Sequence, residues 1–140
     1  MDYLSAFAIG AAGMNVEKAR ADLAALNLAH ANSAAAPDGQ PWRRATLAVA
    51  PGSFAAQMNN LQQAMPRVLG PVYSEAAPRM VHEPGHPLAN AEGFVAYPNI
   101  STLDEMLTIM QASRAYQADV SAVSAARSMA MKALEIGGNR

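Results

Sequence analysis

The sequence predicts a mainly α-helical fold with a small β region. Long N- and C-terminal helices form a coiled-coil-like layer, joined by a short, irregular β middle segment. Three observations carry this reading. All nine prolines lie between Pro37 and Pro98, so neither end holds a residue that breaks a helix. Both ends carry apolar residues at alternating spacings of three and four. The middle has short β-branched and aromatic runs bounded by Gly and Pro, the punctuation of strands and turns. The organisation that follows is an N-terminal helix over residues 1–32, a linker and β region over 33–101, and a C-terminal helix over 102–140. The terminal helices are expected to pack as one helical domain.

The first helix runs from Asp2 to about Asn32. Ile9, Ala12, Val16, Ala19, Leu23 and Leu26 form its three-four seam, and Ala21, Ala24, Ala25 and Leu28 form a second line beside it. Two adjacent stripes exceed what one partner can cover, so burial on more than one side is expected. Gly10 and Gly13 each cost about 1 kcal/mol against alanine in a helix interior. Two explanations stay open for them: close approach of a neighbouring helix, or a frayed first turn. Tyr3 to Met14 is strongly apolar, but a bilayer span needs ~20 residues. No lysine or arginine precedes Lys18, so a cleaved secretory signal is not expected.

The middle opens with a linker, Ser33 to Arg43, containing the turn signal Pro37-Asp38-Gly39. Trp42, the single tryptophan, reads as a packing anchor or else an interface contact. Ala45–Ala50, Arg67–Tyr73, Arg79–His82 and Gly93–Tyr97 are strand candidates. Phe54, Met58, Leu61 and Met65 have helical spacing, which fits a short helix or a variable loop equally. Pro84, Gly85 and Pro87 mark a further turn. Isolated hairpins are marginal in water, so this region should pack on a helix or a neighbouring molecule.

The last helix starts at Thr102, which can cap it, with Glu105 three residues on as the partner of a capping box. Its seam reads Met106, Ile109, Ser113, Tyr116, Val120, Val123, Arg127, Ala130 and Leu134, with Arg127 a poor fit. Gly137-Gly138 is expected to end it. At 1.5 Å per residue such a helix spans roughly 50 Å. It needs a partner along its whole length, and the N-terminal stretch is the expected one. The residues expected to carry packing between subunits are Ile9, Val16, Leu23, Leu26, Asn27 and Leu28 on the first helix. On the last they are Met106, Met110, Ser113, Tyr116, Gln117, Val120, Val123 and Leu134. Asn27, Ser113 and Gln117 either fix register by hydrogen bonding between helices or face water.

Chemistry-bearing motifs are sparse. Net charge is −1 and no basic stripe is present, so no nucleic-acid partner is expected, and Arg43-Arg44 reads as a solvated pair. The absence of cysteine excludes disulfides and thiolate metal sites. Hydrophobic content is 51%, rich in Ala and Met, which suits close helix packing and adaptable contacts. His30 has no acidic neighbour in sequence, and Asp119 and Glu135 read as solvated. His82-Glu83-Pro84-Gly85-His86 matches the zinc motif H-E-x-x-H, which works when a helix puts both histidines on one face. Pro84 and Gly85 occupy its middle, so a turn is expected there and no metal or cofactor. There is no Gly-rich phosphate loop and no nucleophile elbow. No catalytic residues and no small-molecule substrate are expected.

Two blocks are similar to a known family. Asn27-Leu28-Ala29-His30-Ala31-Asn32-Ser33, followed by Pro37-Asp38-Gly39-Gln40-Pro41-Trp42-Arg43, resembles the N-terminal signature of the axial family of flagellar rod and hook proteins. His30 stands where that family commonly has Asn, Asn32 where Asp is frequent, and Trp42 where Tyr is usual. Glu83-Pro84-Gly85-His86-Pro87-Leu88-Ala89-Asn90-Ala91-Glu92-Gly93-Phe94-Val95 leads through Tyr97-Pro98-Asn99 to Glu105-Met106 and resembles the family's approach to its last helix. Gln111-Ala112-Ser113-Arg114-Ala115-Tyr116-Gln117-Ala118 matches its helix signature.

The resemblance implies a structural subunit of the proximal rod of the basal body. It implies export without a cleaved signal through the flagellar type III channel and assembly into a helical tube that transmits torque to the hook. The implied partners are copies of itself, other proximal and distal rod proteins, the rod-to-MS-ring adaptor and the MS ring. Terminal helices would line the channel, with the β region outside, and would be largely unformed in the dilute monomer. Three alternatives stay open: a sister axial protein, a soluble coiled-coil adaptor or export chaperone, and a metallohydrolase built on His82, Glu83 and His86.

Overall fold

The computed structural model describes residues 3–35, 39–50 and 65–138. In chain order the elements are α1 (Tyr3–His30), β1 (Ala45–Ala50), β2 (Arg67–Tyr73), β3 (Arg79–His82), β4 (Phe94–Tyr97) and α2 (Thr102–Gly138). Among the described residues the fold is therefore mainly helical with two small two-stranded sheets, β1-β2 and β3-β4, in line with the mainly helical fold and small β region that the sequence predicts. The turn residues Pro37 and Asp38 lie outside the described residues, and so does residues 54–64 of the short-helix candidate. Among the described residues, no helix is long and apolar enough to cross a membrane.

The start of α2 differs from the expectation. Ser101, not Thr102, caps it: the Ser101 hydroxyl accepts from the Asp104 N–H at 3.3 Å, and the Ser101 carbonyl accepts from the Glu105 N–H at 3.1 Å. Glu105 is turned inward and takes no part in a capping box. At the far end α2 continues through Gly137 and Gly138, where a stop was expected. Nothing crowds Gly137 there, and two further residues at a helix end lie within ordinary fraying.

The chain divides into two compact units. Of the described residues, one unit holds 3–19, 49–50, 65–69 and 111–138, and the other holds 20–35, 39–48 and 70–110. In the first unit α1 and α2 run antiparallel in close contact. A side chain at Gly10 would run into Val123 Cγ2, and a Cβ at Gly13 would sit 2.7 Å from Asp119 Oδ2. The two glycines therefore serve close approach rather than a frayed turn. Val16 and Ala112 are buried in this unit, and Asp119, read as solvated, is half-buried.

In the second unit the buried apolar residues are mostly small: Ala24, Ala31, Ala35 and Ala45, with Val95 and Pro98. β3 and β4 pair antiparallel, with Arg79 opposite Tyr97 and His82 opposite Phe94. The chain leaving α1 adds to the β4 edge, where Ala35 N–H donates to the Ala96 carbonyl at 3.0 Å. The Ser74 N–H donates to the Arg44 carbonyl at 2.8 Å and the Thr46 hydroxyl to the Val72 carbonyl at 3.4 Å. Rising numbers on one strand meet falling numbers on the other, so β1 and β2 are antiparallel here.

His82 to His86 is a strand end and a turn, not a helix. The Asn90 side chain organises the return: its Oδ1 accepts from Glu92 N–H at 3.0 Å and Phe94 N–H at 2.9 Å. Gly93 has φ of 79°, and a Cβ there would crowd Pro84 and His82. Both features require glycine.

The packing line on α2 is displaced from the expected seam. The buried and half-buried positions follow Glu105, Ile109, Ala112, Ala115, Asp119, Val123, Ala126 and Ala130. Only Ile109, Val123 and Ala130 belong to both sets. The physical reason in the first unit is the close helix approach, where Gly10 and Gly13 leave room for Val123 and Asp119 and so fix which line of α2 turns inward. Met106, Met110, Ser113, Tyr116, Gln117, Val120 and Leu134 remain exposed on the single chain. On α1, Ile9 and Leu26 are exposed, Leu23 and Leu28 are half-buried, and Val16 and Asn27 are enclosed within the chain itself.

Candidate functional site

Among the described residues, a polar hub of buried side-chain hydrogen bonds lies in the second unit, centred on Asn27. This residue lies one turn before the end of α1 and is 1% exposed. Its side-chain amide makes four hydrogen bonds. The Nδ2 group donates to the Ala45 carbonyl at 2.7 Å and to Glu105 Oε2 at 3.1 Å. Its Oδ1 accepts from the Ala45 N–H at 3.0 Å and from Trp42 Nε1 at 3.3 Å. The amide therefore answers both backbone groups of the first β1 residue, as a neighbouring strand would. A buried residue without that partner would leave two orphan groups.

Glu105 enters from the first turn of α2 and is also 1% exposed. Its second oxygen accepts from Arg44 Nε at 2.6 Å, a short charge-assisted bond. Arg44 keeps part of its side chain in water, with 37% exposure against 2% for Glu105. Alternation along the extended segment explains the division of roles. Trp42 and Arg44 point to the hub, while Arg43, between them, donates to the Ser74 carbonyl at 2.9 Å. The solvated reading of Arg44 is thus corrected. Trp42 also stacks on His30, with ring centroids 4.1 Å apart and planes 15° from parallel. His30 meets Ser33 Oγ at 3.4 Å through Nδ1.

This arrangement is saturated rather than reactive. Among the described residues, every buried side-chain nitrogen and oxygen has a partner. No three His, Cys, Asp or Glu among them come together to hold a metal. Each part of the H-E-x-x-H motif has another contact. His82 faces Phe94 across the strands, and His86 Nδ1 accepts from the Leu88 N–H at 3.1 Å. Glu83 Oε2 accepts from the Tyr97 hydroxyl at 3.1 Å. Partial desolvation and the Glu83 carboxylate hold the Tyr97 phenol above its ordinary range, against the Arg79 guanidinium 5.6 Å from the ring centre.

Of the expected packing residues, Asn27 is drawn into the hub, whereas Met106, Met110, Tyr116 and Val120 lie on the exposed side of α2. Sequence reasoning missed Glu105 and Arg44 as hub members, and Leu103 and Leu107 as exposed apolar residues. The available signal for Glu105 was its place at i−4 from Ile109 and i−7 from Ala112, a charge on an apolar line.

Comparison with known proteins places this geometry. The family model described as Flagellar basal body rod FlgEFG protein C-terminal matches residues 91–136, which take in Glu105 and nearly all of α2. The chain is similar to the flagellar basal-body rod protein FlgC of Escherichia coli O6:H1, 36% identical over 98% of this chain and 99% of that protein. FlgC of Salmonella typhimurium shows 36% identity with the same coverage. FlgC of Bacillus subtilis shows 30% identity over 92% of this chain and 94% of that protein. With identity at this level running over both terminal helices and the hub between them, the chain belongs to the FlgC family of flagellar basal-body rod proteins.

Proposed function

We propose that this structural subunit of the flagellar proximal rod works by packing alone, through the apolar side of α2 that its own fold leaves uncovered. One observation carries the reading. Leu103, Met106, Leu107 and Met110 recur at i, i+3, i+4 and i+7 and are 67, 47, 42 and 51% exposed. They lie on the far side of the helix from Glu105, so α2 is apolar on two sides. Further along, Tyr116, Val120 and Leu134 are exposed as well. Full burial of one such side chain is worth about 1.5–3 kcal/mol. With roughly half of each still to be covered, the four would contribute ~3–6 kcal/mol gross to each contact. Such contacts between unlike surfaces propagate helically when they do not close.

In this reading the occupants of the stripe are terminal helices of neighbouring rod subunits, of this and other axial types. At the base they include the adaptor and MS ring. The chain performs no catalysis; the saturated hub supports that. It reaches the basal body through the type III channel without a cleaved signal. The test is the pair Met106→Glu and Met110→Glu in a strain lacking the native subunit. Helicity and Trp42 fluorescence of the purified variant should match the parent, while isolated basal bodies should lack a rod and cells should not swim. Intact rods built from the doubly charged variant would overturn the proposal.

A further inference from the structure

We infer that the apolar side of α2 is a methionine-oxidation site of the unassembled subunit, and that peroxide-class oxidants switch off its self-association there. The chain has no cysteine, so thioethers are its readily oxidised sulfur. On the stripe shared with Leu103 and Leu107, Met106 is 47% and Met110 51% exposed. Met14 and Met65 are half-buried. Met80, on β3, is 50% exposed and serves as an internal control.

In the reaction the O–O bond of the peroxide breaks and one oxygen atom forms an S=O bond with the thioether. Sulfur loses two electrons, and the peroxide is reduced to water or an alcohol. The product is polar where the contact needs an apolar, deformable side chain. Burying a sulfoxide without a donor opposite it costs free energy that the thioether did not. Assembly covers the same sulfurs, so the switch acts before incorporation and is silent afterwards. The inference rests on the reading that this side of α2 packs in the rod.

The experiment treats the purified full chain with hydrogen peroxide and maps the added oxygens by peptide mass spectrometry. Self-association is followed by sedimentation velocity. Met106 and Met110 should oxidise at least several-fold faster than Met14 and Met65. Association should weaken by tenfold or more, and methionine sulfoxide reductases with a thiol reductant should restore it. The double variant M106L/M110L should associate like the parent and keep associating after peroxide, although Met80 is oxidised. Association unchanged by full oxidation of both sites overturns the inference and leaves the packing reading intact. Equal peroxide loss in the leucine variant does the same. Parent and leucine variant that both fail to associate untreated, at any concentration, overturn both.

Discussion

Asn27→Asp is the sharpest perturbation of the hub, because it keeps the size of the side chain and removes its donors. The Asn27 nitrogen gives hydrogen bonds of 2.7 Å to the Ala45 carbonyl and 3.1 Å to Glu105 Oε2. A carboxylate oxygen in the same place turns both into contacts between acceptors, and it sets a second negative charge beside Glu105. Each buried acceptor left unpaired costs about 1–3 kcal/mol, so the two give about 2–6 kcal/mol. Repulsion at this separation, with an effective dielectric near 20, adds up to ~5 kcal/mol. Arg44 and proton uptake by the new carboxyl relieve part of that. A net loss of about 3–5 kcal/mol is expected, a large share of the ~5–15 kcal/mol that holds a domain together. The assay is urea unfolding followed in parallel by far-UV circular dichroism and Trp42 fluorescence, with exposed Asn32→Asp as the surface control. The loss should shrink as pH falls from 7 to 5, because the protonated carboxyl regains one donor. A loss under 1 kcal/mol, or one no larger than that of the control, would refute the reasoning.

Three further outcomes are expected. Gly10→Ala gains about 1 kcal/mol of helix propensity but must displace Val123 Cγ2. Overpacking of this kind costs ~1–3 kcal/mol, so a lower melting temperature is expected, recovered by adding Val123→Ala; stabilisation by Gly10→Ala alone would count against the close contact. The Tyr97 phenol is held above its ordinary value of 10.0, so the native state keeps its proton longer than the unfolded chain does. Its contribution is complete below pH 10.0 and is lost as pH rises beyond it, so stability measured by urea unfolding should fall more steeply there in the parent than in Tyr97→Phe. Amide hydrogen exchange in the monomer should be slowest near Asn27 and Glu105 and fastest over residues 131–137, where every side chain is exposed; uniform protection along α2 would contradict a hub that anchors the helices locally.

The fold class was legible because each of its signals is local. Proline exclusion marks the helices, and a glycine or proline stands directly beside at least one end of each of β1 to β4. The phase of the helix packing was not legible for a different reason. An apolar period fixes a stripe only when a helix has one, and α2 has two. Which stripe turns inward is decided by the partner, where Gly10 and Gly13 make room for Val123 and Asp119. Asn27 stood out as a polar residue on an apolar helix. Its partners did not, since Trp42, Ala45 and Glu105 lie 15, 18 and 78 residues away. Glu105 was misread because its local signal, three residues after a hydroxyl, is satisfied equally well by a cap. A buried ion pair with Arg44 leaves no trace in periodicity.

The hub and the uncovered stripe are linked by helix geometry. Each residue step turns a helix about 100°. Bonds from Asn27 to Glu105 fix how the first turn of α2 is rotated against the end of α1 in their unit. They thereby fix the direction in which Leu103, Met106, Leu107 and Met110 point, before any neighbour arrives. A buried polar residue that sets register while lowering stability relative to an apolar core is a known use of such groups in helical packing. A purely apolar contact of alanines would tolerate a slip of the helix, and a one-residue slip would carry the stripe a quarter-turn or more from its neighbour. Under the proposed packing, a filament would repeat every subunit error along its length, so the orientation of α2 would matter more than in a protein that works alone. The hub is then a device for aim as much as for stability. Substitutions in it should impair rod assembly out of proportion to the stability they remove, although none of its residues lies on the exposed stripe.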